Sequence, residues 1–430
     1  MARVLLVSLR SPFLDSDRVF PPIGLLQLKA CLDEAGHDTD LVDDFDPRDV
    51  PTLYGGYQVV GFSVMTPQGR DAAAALELFR HHHPGTRTVI GGPHALHYFD
   101  EVERQPWDYI VPADGERAIV NIADATDQQV GITRVMRDQL SEEQMNGTPR
   151  PWRAPSFLRR YNYRLEDRNT TTLLTTRGCP MGCKFCEDRR TKVRHYEIPR
   201  VLAEIADARE AGFGAIMFFD DIFAMIPERT RALTDAIRPL DIRYRCFAHA
   251  NTLRETMAEQ LASSGCVEIG FGCEHASQKM LDVIGKGVRT AHNEEFLARC
   301  ARYGIRVKAF FIVGLPGENR DTLAELEAFI ARHTAAGTLF DFDVTVYMPY
   351  RGTYIRDNLS EFDIEIVGDI DALGYYKGKE GRAEVVVRTS ALSGEDLAAA
   401  KDHIYRTYNR RFRNVDECRQ PSLPAQAVGL

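Results

Sequence analysis

Three cysteines, Cys179, Cys183 and Cys186, stand within the stretch TTRGCPMGCKFCEDRR, and no fourth follows them. The first gap is wider than the Cys-x2-Cys of a zinc ribbon, and no second pair completes a tetrahedron. A cluster of four irons held by only three thiolates keeps one iron open, and that open position takes a substrate. A structural zinc with His195 as fourth ligand is the competing reading of the same residues. A disulfide framework is not: nine cysteines are an odd number in a long chain, and Cys31, Cys246, Cys266, Cys273, Cys300 and Cys418 each stand alone, as buried structural thiols do.

The chain that must position this loop has 430 residues, enough for two or three separately packed domains. No apolar run reaches the roughly 20 residues a bilayer span needs, and the apolar part of MARVLLVSLRSPFLD is too short for a signal peptide. The expectation is a cytoplasmic protein without a membrane partner. A formal charge of −9 argues against a nucleic-acid backbone as partner. The most basic run, RPWRAPSFLRRYNYR, reads as a solvated, Arg-rich linker.

Two α/β halves follow one another. In the first, RVLLVSL, TDLVDDF, QVVGFSVMTP, RTVIGGPHA and YIVPADGE are short apolar strands. Between them IGLLQLKACLDEAG, ending at Gly36, and GRDAAAALELFRHHH carry helical periodicity. Such alternation predicts a doubly wound, Rossmann-like domain over 1–128, with its parallel sheet covered on both faces. Residues 129–168 lack periodicity and read as a partly ordered connector. From 169 to 355 six further strands, TTLLTTRG, AIMFFDD, IRYRCFAHA, VEIGFGCEH, RVKAFFIVG and FDVTVYMP, alternate with helices. Six βα units fall short of an eight-stranded barrel and predict a partial (β/α)6 barrel, open on one side, with its chemistry on the loops at the strand carboxyl ends. Residues 356–430 read as a small region completing the barrel. In it GEDLAAAKDHIYRTYNRRF turns Leu397, Ile404, Tyr405 and Tyr408 toward a core, and RQPSLPAQAVGL forms a tail.

A ligand of the first domain belongs beyond its strand carboxyl ends. Those ends carry Ser11, Ser63, Met65, Thr66, Gly91, Gly92, His94, Asp114, Gly115 and Glu116, residues that are small, hydroxyl-bearing or flexible. No P-loop and no G-x-G-x-x-G follows the first strand, which disfavours a nucleoside triphosphate or a dinucleotide.

The Cys179-x3-Cys183-x2-Cys186 spacing, with Phe185 before the last cysteine, resembles the signature of radical S-adenosylmethionine (SAM) enzymes. FFDDIF, GFGCEHASQKMLDVIGKG, FFIVGLPGE and YMPYRGT resemble the endings of the second, fourth, fifth and sixth barrel strands in that superfamily. PPIGLLQLKACLDEAGHDTDLVD, GFSVMTP, VIGGPHA and VPADGERA resemble the cobalamin-binding domain of its class B members. Together these segments span about four fifths of the chain.

The resemblance implies three cofactors: a [4Fe-4S] cluster on Cys179, Cys183 and Cys186, SAM on the fourth iron, and cobalamin in the first domain. It implies SAM contacts from Phe185, Asp220, Asp221, Glu274, Ile312, Val313 and Pro316. Cobalamin would meet Ser11, Ser63, Met65, Thr66, Gln68, Gly91, Gly92, His94, Asp114, Gly115 and Glu116. No histidine sits in the Asp-x-His-x-x-Gly context that ligates cobalt, so Met65, Thr66 or Gln68 would face the metal. The implied activity is methyl transfer to an unactivated carbon of a small metabolite, through a 5′-deoxyadenosyl radical and methylcobalamin. A flavodoxin or ferredoxin would supply electrons. Tyr350, Arg351, Tyr354, Tyr375 and Tyr376 are candidate substrate contacts, with Tyr350 and Tyr354 carried forward. The same domains also serve cyclisation, rearrangement or oxidation without methyl transfer, and a non-catalytic cobalamin or iron–sulfur sensor is the reading from another class.

Overall fold

A computed structural model describes residues 1–11, 18–125, 129–368, 370 and 385–409. Tyr375, Tyr376, Cys418 and the RQPSLPAQAVGL tail lie outside these.

The first sheet contains β1 (Arg3–Ser8), β2 (Asp38–Val42), β3 (Val59–Ser63), β4 (Arg87–Gly91), β5 (Tyr109–Val111) and β6 (Arg134–Val135). Its order is β2-β1-β3-β4-β5-β6, and every pairing is parallel. Strands that are apolar at every position can be buried only between two helical layers. Accordingly Leu5, Val7, Val60 and Phe62 pack toward α2 (Gly69–His82), through Leu76 and Phe79. Val4, Leu6, Val59 and Val89 pack toward α1 (Ile23–Glu34) and α3 (Glu116–Asp124). The chain leaves β1 first for one edge and then for the other, so a crevice opens at the carboxyl ends of β1 and β3.

The second sheet contains β7 (Arg164–Leu165), β8 (Arg168–Leu173), β9 (Ala215–Phe218), β10 (Arg243–Ala248), β11 (Cys266–Glu274), β12 (Arg306–Val313) and β13 (Asp341–Val346). Its order is β13-β12-β11-β10-β9-β8-β7, six parallel strands ended by the short antiparallel β7. Helices α4 (Ile198–Glu210), α5 (Pro227–Ile237), α6 (Glu255–Ser263), α7 (Thr290–Arg302) and α8 (Arg320–Ala336) intervene along the chain. Strand β12 displays the open side of the curled sheet. Val307, Ala309, Phe311 and Val313 are buried on one face, while Arg306, Lys308, Phe310 and Ile312 on the inner face stay half-buried. Helix α9 (Gly394–Tyr408) is started by a capping box in which Ser393 and Asp396 each accept the other's backbone N–H, at 3.1 and 3.0 Å. It lays Leu397, Ile404 and Tyr405 on the barrel core, and the Tyr405 hydroxyl accepts from Val344 N at 2.9 Å.

Two sequence expectations are corrected here. The 129–168 connector is ordered throughout and lends a strand to each sheet, β6 to the first and β7 to the second. Two-residue strands carry no readable period, so only pairing reveals them. The basic run is not a solvated linker either. Arg150 bonds Asp207 at 2.6 Å, buried Arg153 donates to Thr172 O at 2.9 Å beside Glu204, and Arg160 with Tyr161 engages buried Asp43 at the end of β2. Arg150 and Arg153 thus tie the run to the barrel, and Arg160 ties it to the first domain. Among the described residues no helix is long and apolar enough to cross a membrane.

Candidate active site

The loop after β8 carries the three cysteines, and its shape is fixed by its own backbone. Gly178 has φ +95, and a Cβ there would run into the Lys192 carbonyl. Cys179 N donates to Thr191 Oγ1 at 2.7 Å, Thr191 N to Cys179 O at 2.8 Å, and Arg190 N to Met181 O at 2.8 Å. On the other side Lys184 N donates to Ile284 O at 2.8 Å, and Ile355 N to Lys184 O at 3.1 Å. Burial raises all three thiols, Cys186 to about 12. Loading a metal on this loop therefore releases protons. Among the described residues no three Cys, His, Asp or Glu groups are arranged around one metal ion. His195 contacts Glu142, at 3.4 Å, instead of completing a zinc site. Three thiolates with no carboxylate or imidazole fourth suit a cluster, whose ligands stand further apart than those of a single ion.

Asp220, expected to meet SAM, is fully enclosed. Its carboxylate accepts Thr175 N at 2.6 Å, Thr176 N at 3.2 Å and the Thr175 hydroxyl, which leaves it nothing to offer a ligand. It clamps the turn that launches the cysteine loop. Asp221 is the exposed member of the pair. Surrounding protein mass, with Asp188 and Asp220 close by, pushes its carboxyl up to about 6. No cation bonds it among the described residues, so a ligand ammonium would be welcome there.

Glu274 ends β11 with φ +62 and bonds Lys286 Nζ at 2.7 Å, both side chains nearly enclosed. A Cβ on Gly272 would land on this pair. Burial alone would lower the Lys286 ammonium, but Glu274 and Cys183 outweigh it and the group is raised. Glu318, in the FFIVGLPGE segment, is wholly buried. It accepts Gly314 N, Leu315 N at 3.2 Å and His275 Nε2 at 2.8 Å, which ties the end of β12 to the end of β11. Phe185 and Ile312 pack against one apolar cluster with Met280, Ile284 and Leu315. Val313 turns its side chain into the barrel core and its carbonyl accepts Tyr347 N at 2.7 Å, while Pro316 is buried in the turn beyond. The sequence did not single out Lys286, Glu318 or Arg177, because lone charged residues in loops carry no pattern.

The first domain holds a cavity of about 240 Å³ at its strand carboxyl ends, between the sheet and helices α1 and α3. Its wall is built of missing side chains. A Cβ on Gly61 would come 3.3 Å from Leu6 Cδ2, and one on Gly115 3.1 Å from Leu28 Cδ2. Of the expected cobalamin contacts, Ser63, Gly91, Gly92, Asp114, Gly115 and Glu116 line it. The others do not. Gln68 spends its side chain on Leu9 O at 2.7 Å and Met65 N at 2.9 Å. His94 stacks on Tyr98, 5.1 Å between ring centres, and abuts Gly69. Ser11 is buried, Met65 is 40% exposed and Thr66 half-buried, all three outside the cavity's lining. The glycine-walled hollow suits a large flat-sided group, the shape of a corrinoid's nucleotide tail.

Asp114 and Glu116 do a second job there. Arg177, two residues before Cys179, donates to Asp114 at 3.1 Å, to Glu116 at 2.5 Å and to the Tyr196 hydroxyl at 2.7 Å. Arg194 and Leu140 N–H also reach Asp114. Burial works against the Asp114 anion, but these donors outweigh it and hold the carboxyl below its ordinary value. Arg177, Tyr196 and Leu174 thereby close the hollow from the barrel side. Elsewhere on the interface Arg351 lies 5.0 Å over Tyr98, and Gly352, φ +81, packs on His97. The carboxyl ends of the two sheets thus face each other across the cysteine loop. Tyr354 braces that loop, its ring under Arg189 at 5.0 Å and its hydroxyl donating to Glu361 at 3.0 Å. Tyr350 is half-buried against the barrel core.

A chain with a partial barrel, a three-cysteine loop and a doubly wound domain turned toward it has the makings of a radical SAM enzyme with a corrinoid module. Residues 173–330 match the radical SAM superfamily, and residues 14–123 match the B12 binding domain. The chain is 27% identical over 361 residues to an uncharacterized methyltransferase of Pyrococcus horikoshii, covering 77% of each. It is 24% identical over 367 residues to the bacteriochlorophyllide d C-12(1)-methyltransferase of Chlorobaculum tepidum, covering 82% of this chain and 77% of the relative. Among solved structures it resembles the radical SAM methyltransferase TsrM of Kitasatospora setae, with tryptophan and a SAM analogue bound. There the TM-score is 0.65 at 19% identity, covering 84% of this chain and 76% of the other. The chain is thus a radical SAM enzyme with a B12 binding domain, and those two domains imply a [4Fe-4S] cluster, SAM and cobalamin as cofactors.

Proposed function

We propose that this chain is a C-methyltransferase acting on an unactivated carbon of a small molecule. One observation carries the reading: Arg177 lines the first-domain hollow, bonds Asp114 and Glu116, and stands two residues before Cys179. A methyl carrier in the hollow and a radical source on the loop would share one enclosed space. Bound SAM and cobalamin would supply the radical and the methyl group. The chain's part is to hold and to exclude water. Cys179, Cys183 and Cys186 would hold the cluster. Glu274 with Lys286 would present one anion and one cation to the amino-acid end of SAM, and Asp221 would accept its ammonium. Phe185 and Ile312 would pack against the adenine, and Ser63, Gly91, Gly92 and Gly115 would cradle cobalamin. Domains of 1–128 and 169–355, each extended by the short strand it takes from the connector, a flavodoxin or ferredoxin as reductant, and a cytoplasmic setting belong to the same proposal.

Anaerobic reconstitution with iron, sulfide and hydroxocobalamin tests it. Stoichiometric cobalamin, together with a four-iron cluster lost on Cys179→Ala, Cys183→Ala and Cys186→Ala, is the expected result. SAM cleavage without retained cobalamin would rule out methyl transfer from cobalt. Retained cobalamin with 5′-deoxyadenosine but no methylated product would favour a cyclising or oxidising outcome.

A further inference from the structure

The inner face of the curled sheet is layered. At its amino-terminal end the inward side chains are charged and paired: Arg245 with Glu268 at 3.2 Å, and Lys308 with Asp341 and Asp343 at 3.3 and 3.1 Å. At its carboxyl end lie Gly272, the Glu274–Lys286 pair and Ile312. Between them runs a belt of rings. Phe247 and Phe310 have centres 6.1 Å apart, Phe247 and Phe219 6.0 Å, Phe219 and Phe20 5.2 Å, and Phe20 and Tyr163 4.8 Å.

This belt is not core. Its members are half-buried, Phe219 being 38% exposed, whereas the outward residues of the same strands are buried. Phe247 pairs in register with Gly270, and Phe310 with Gly272. A Cβ on Gly270 would come within 2.5 Å of the Phe247 ring and 3.3 Å of Phe310. The absent side chain lets both rings lie down across bare backbone, which turns ring area toward the open lumen. Arg245 braces the belt from below, its guanidinium 5.5 Å from the Phe247 ring centre and its Nη1 donating to the Tyr163 hydroxyl at 3.0 Å. Phe310 and Ile312 are separated by one two-residue strand step, roughly 6–7 Å. The belt is therefore the first surface met by anything held beneath the proposed SAM pocket.

We infer that the substrate presents a planar aromatic ring system to Phe219, Phe247 and Phe310, and that these rings select it over a saturated molecule of the same size. A ring quadrupole discriminates in this way, because edge-to-face and offset contacts are worth more than the area they bury. A saturated substrate would gain only the area. The inference rests on the proposed cofactor reading, and the test separates the two.

The full-length chain carrying its cluster and cobalamin is titrated by 19F NMR with 5-fluoroindole and, as the saturated control of the same fused ring sizes, a monofluorinated octahydroindene. The expected result is tighter binding of 5-fluoroindole, weakened about two- to twelvefold by Phe247→Leu and by Phe310→Leu. Affinity for the saturated bicycle stays within a factor of two. Phe219→Leu, at the most exposed ring, gives an independent reading should either of the other variants fail to retain cobalamin. Equal affinity for the two probes, or full 5-fluoroindole affinity in the leucine variants, overturns the inference while cobalamin content and SAM cleavage stay intact. Wild-type protein that neither retains cobalamin nor cleaves SAM overturns the cofactor reading, and the inference with it.

Discussion

Replacing Arg177 by methionine keeps an unbranched apolar stem and removes three hydrogen bonds at once. Its partners are nearly enclosed: the Asp114 side chain is 11% exposed and that of Glu116 5%. Asp114 keeps Arg194 and Leu140 N–H, but among the described residues Arg177 supplies the only hydrogen bond to the Glu116 carboxylate. Leaving a buried charge without its partner costs about 3–5 kcal/mol. At roughly 2–4 °C per kcal/mol for a domain of this size, the melting midpoint should fall on the order of 10 °C. Thermal melts of the cofactor-free chain measure this. The added substitution Glu116→Gln, which removes the orphaned charge, should restore more than half of the loss. Because Arg177 also walls the hollow, the single variant should hold less cobalamin after gel filtration. A midpoint within 1 °C of wild type, or no recovery in the double variant, would refute the claim that this pair locks the domains.

Other expectations follow from the same contacts. Gly61→Val fills the hollow beside Leu6, so reconstituted protein should lose cobalamin by absorbance yet keep its iron. Asp220→Asn sets an amide N–H₂ among the donors of Thr175 and Thr176, costing about 2–3 kcal/mol, and iron bound per chain should fall although no cysteine is touched. Gly272→Ala pushes the Glu274–Lys286 pair apart, which should weaken SAM binding by equilibrium dialysis while leaving the cluster spectrum unchanged. Asp221 has a carboxyl pushed up to about 6 in the folded chain, so its anion is disfavoured by folding and its contribution to stability is lost as pH rises from about 4 through 6. Asp221→Asn should therefore raise the melting midpoint of the cofactor-free chain at pH 7.5. That gain should shrink as pH falls through 6 and vanish near 4.

What sequence alone determined were features written in neighbouring residues. The alternation of apolar strands and periodic helices specified two α/β halves, because each element must bury its own face. The Cys179, Cys183 and Cys186 spacing lies on one loop, so its chemistry could be read without knowing where the loop points. The glycines at 91, 92 and 115 likewise announced a wall that a ligand could approach. Tertiary structure decided what each charged or exposed side chain was for. Asp220 and Asp221 are adjacent and chemically identical, yet one is sealed by Thr175 and Thr176 and the other left open. Arg153 and Arg160 looked solvated until buried carboxylates from a distant helix, Glu204, and from the end of β2, Asp43, reached them. Phe219 follows β9 while Phe247 and Phe310 lie on β10 and β12, and only curling of the sheet makes them one surface. Sequence records chemical type and local period, whereas partnership depends on which distant groups share the same buried space.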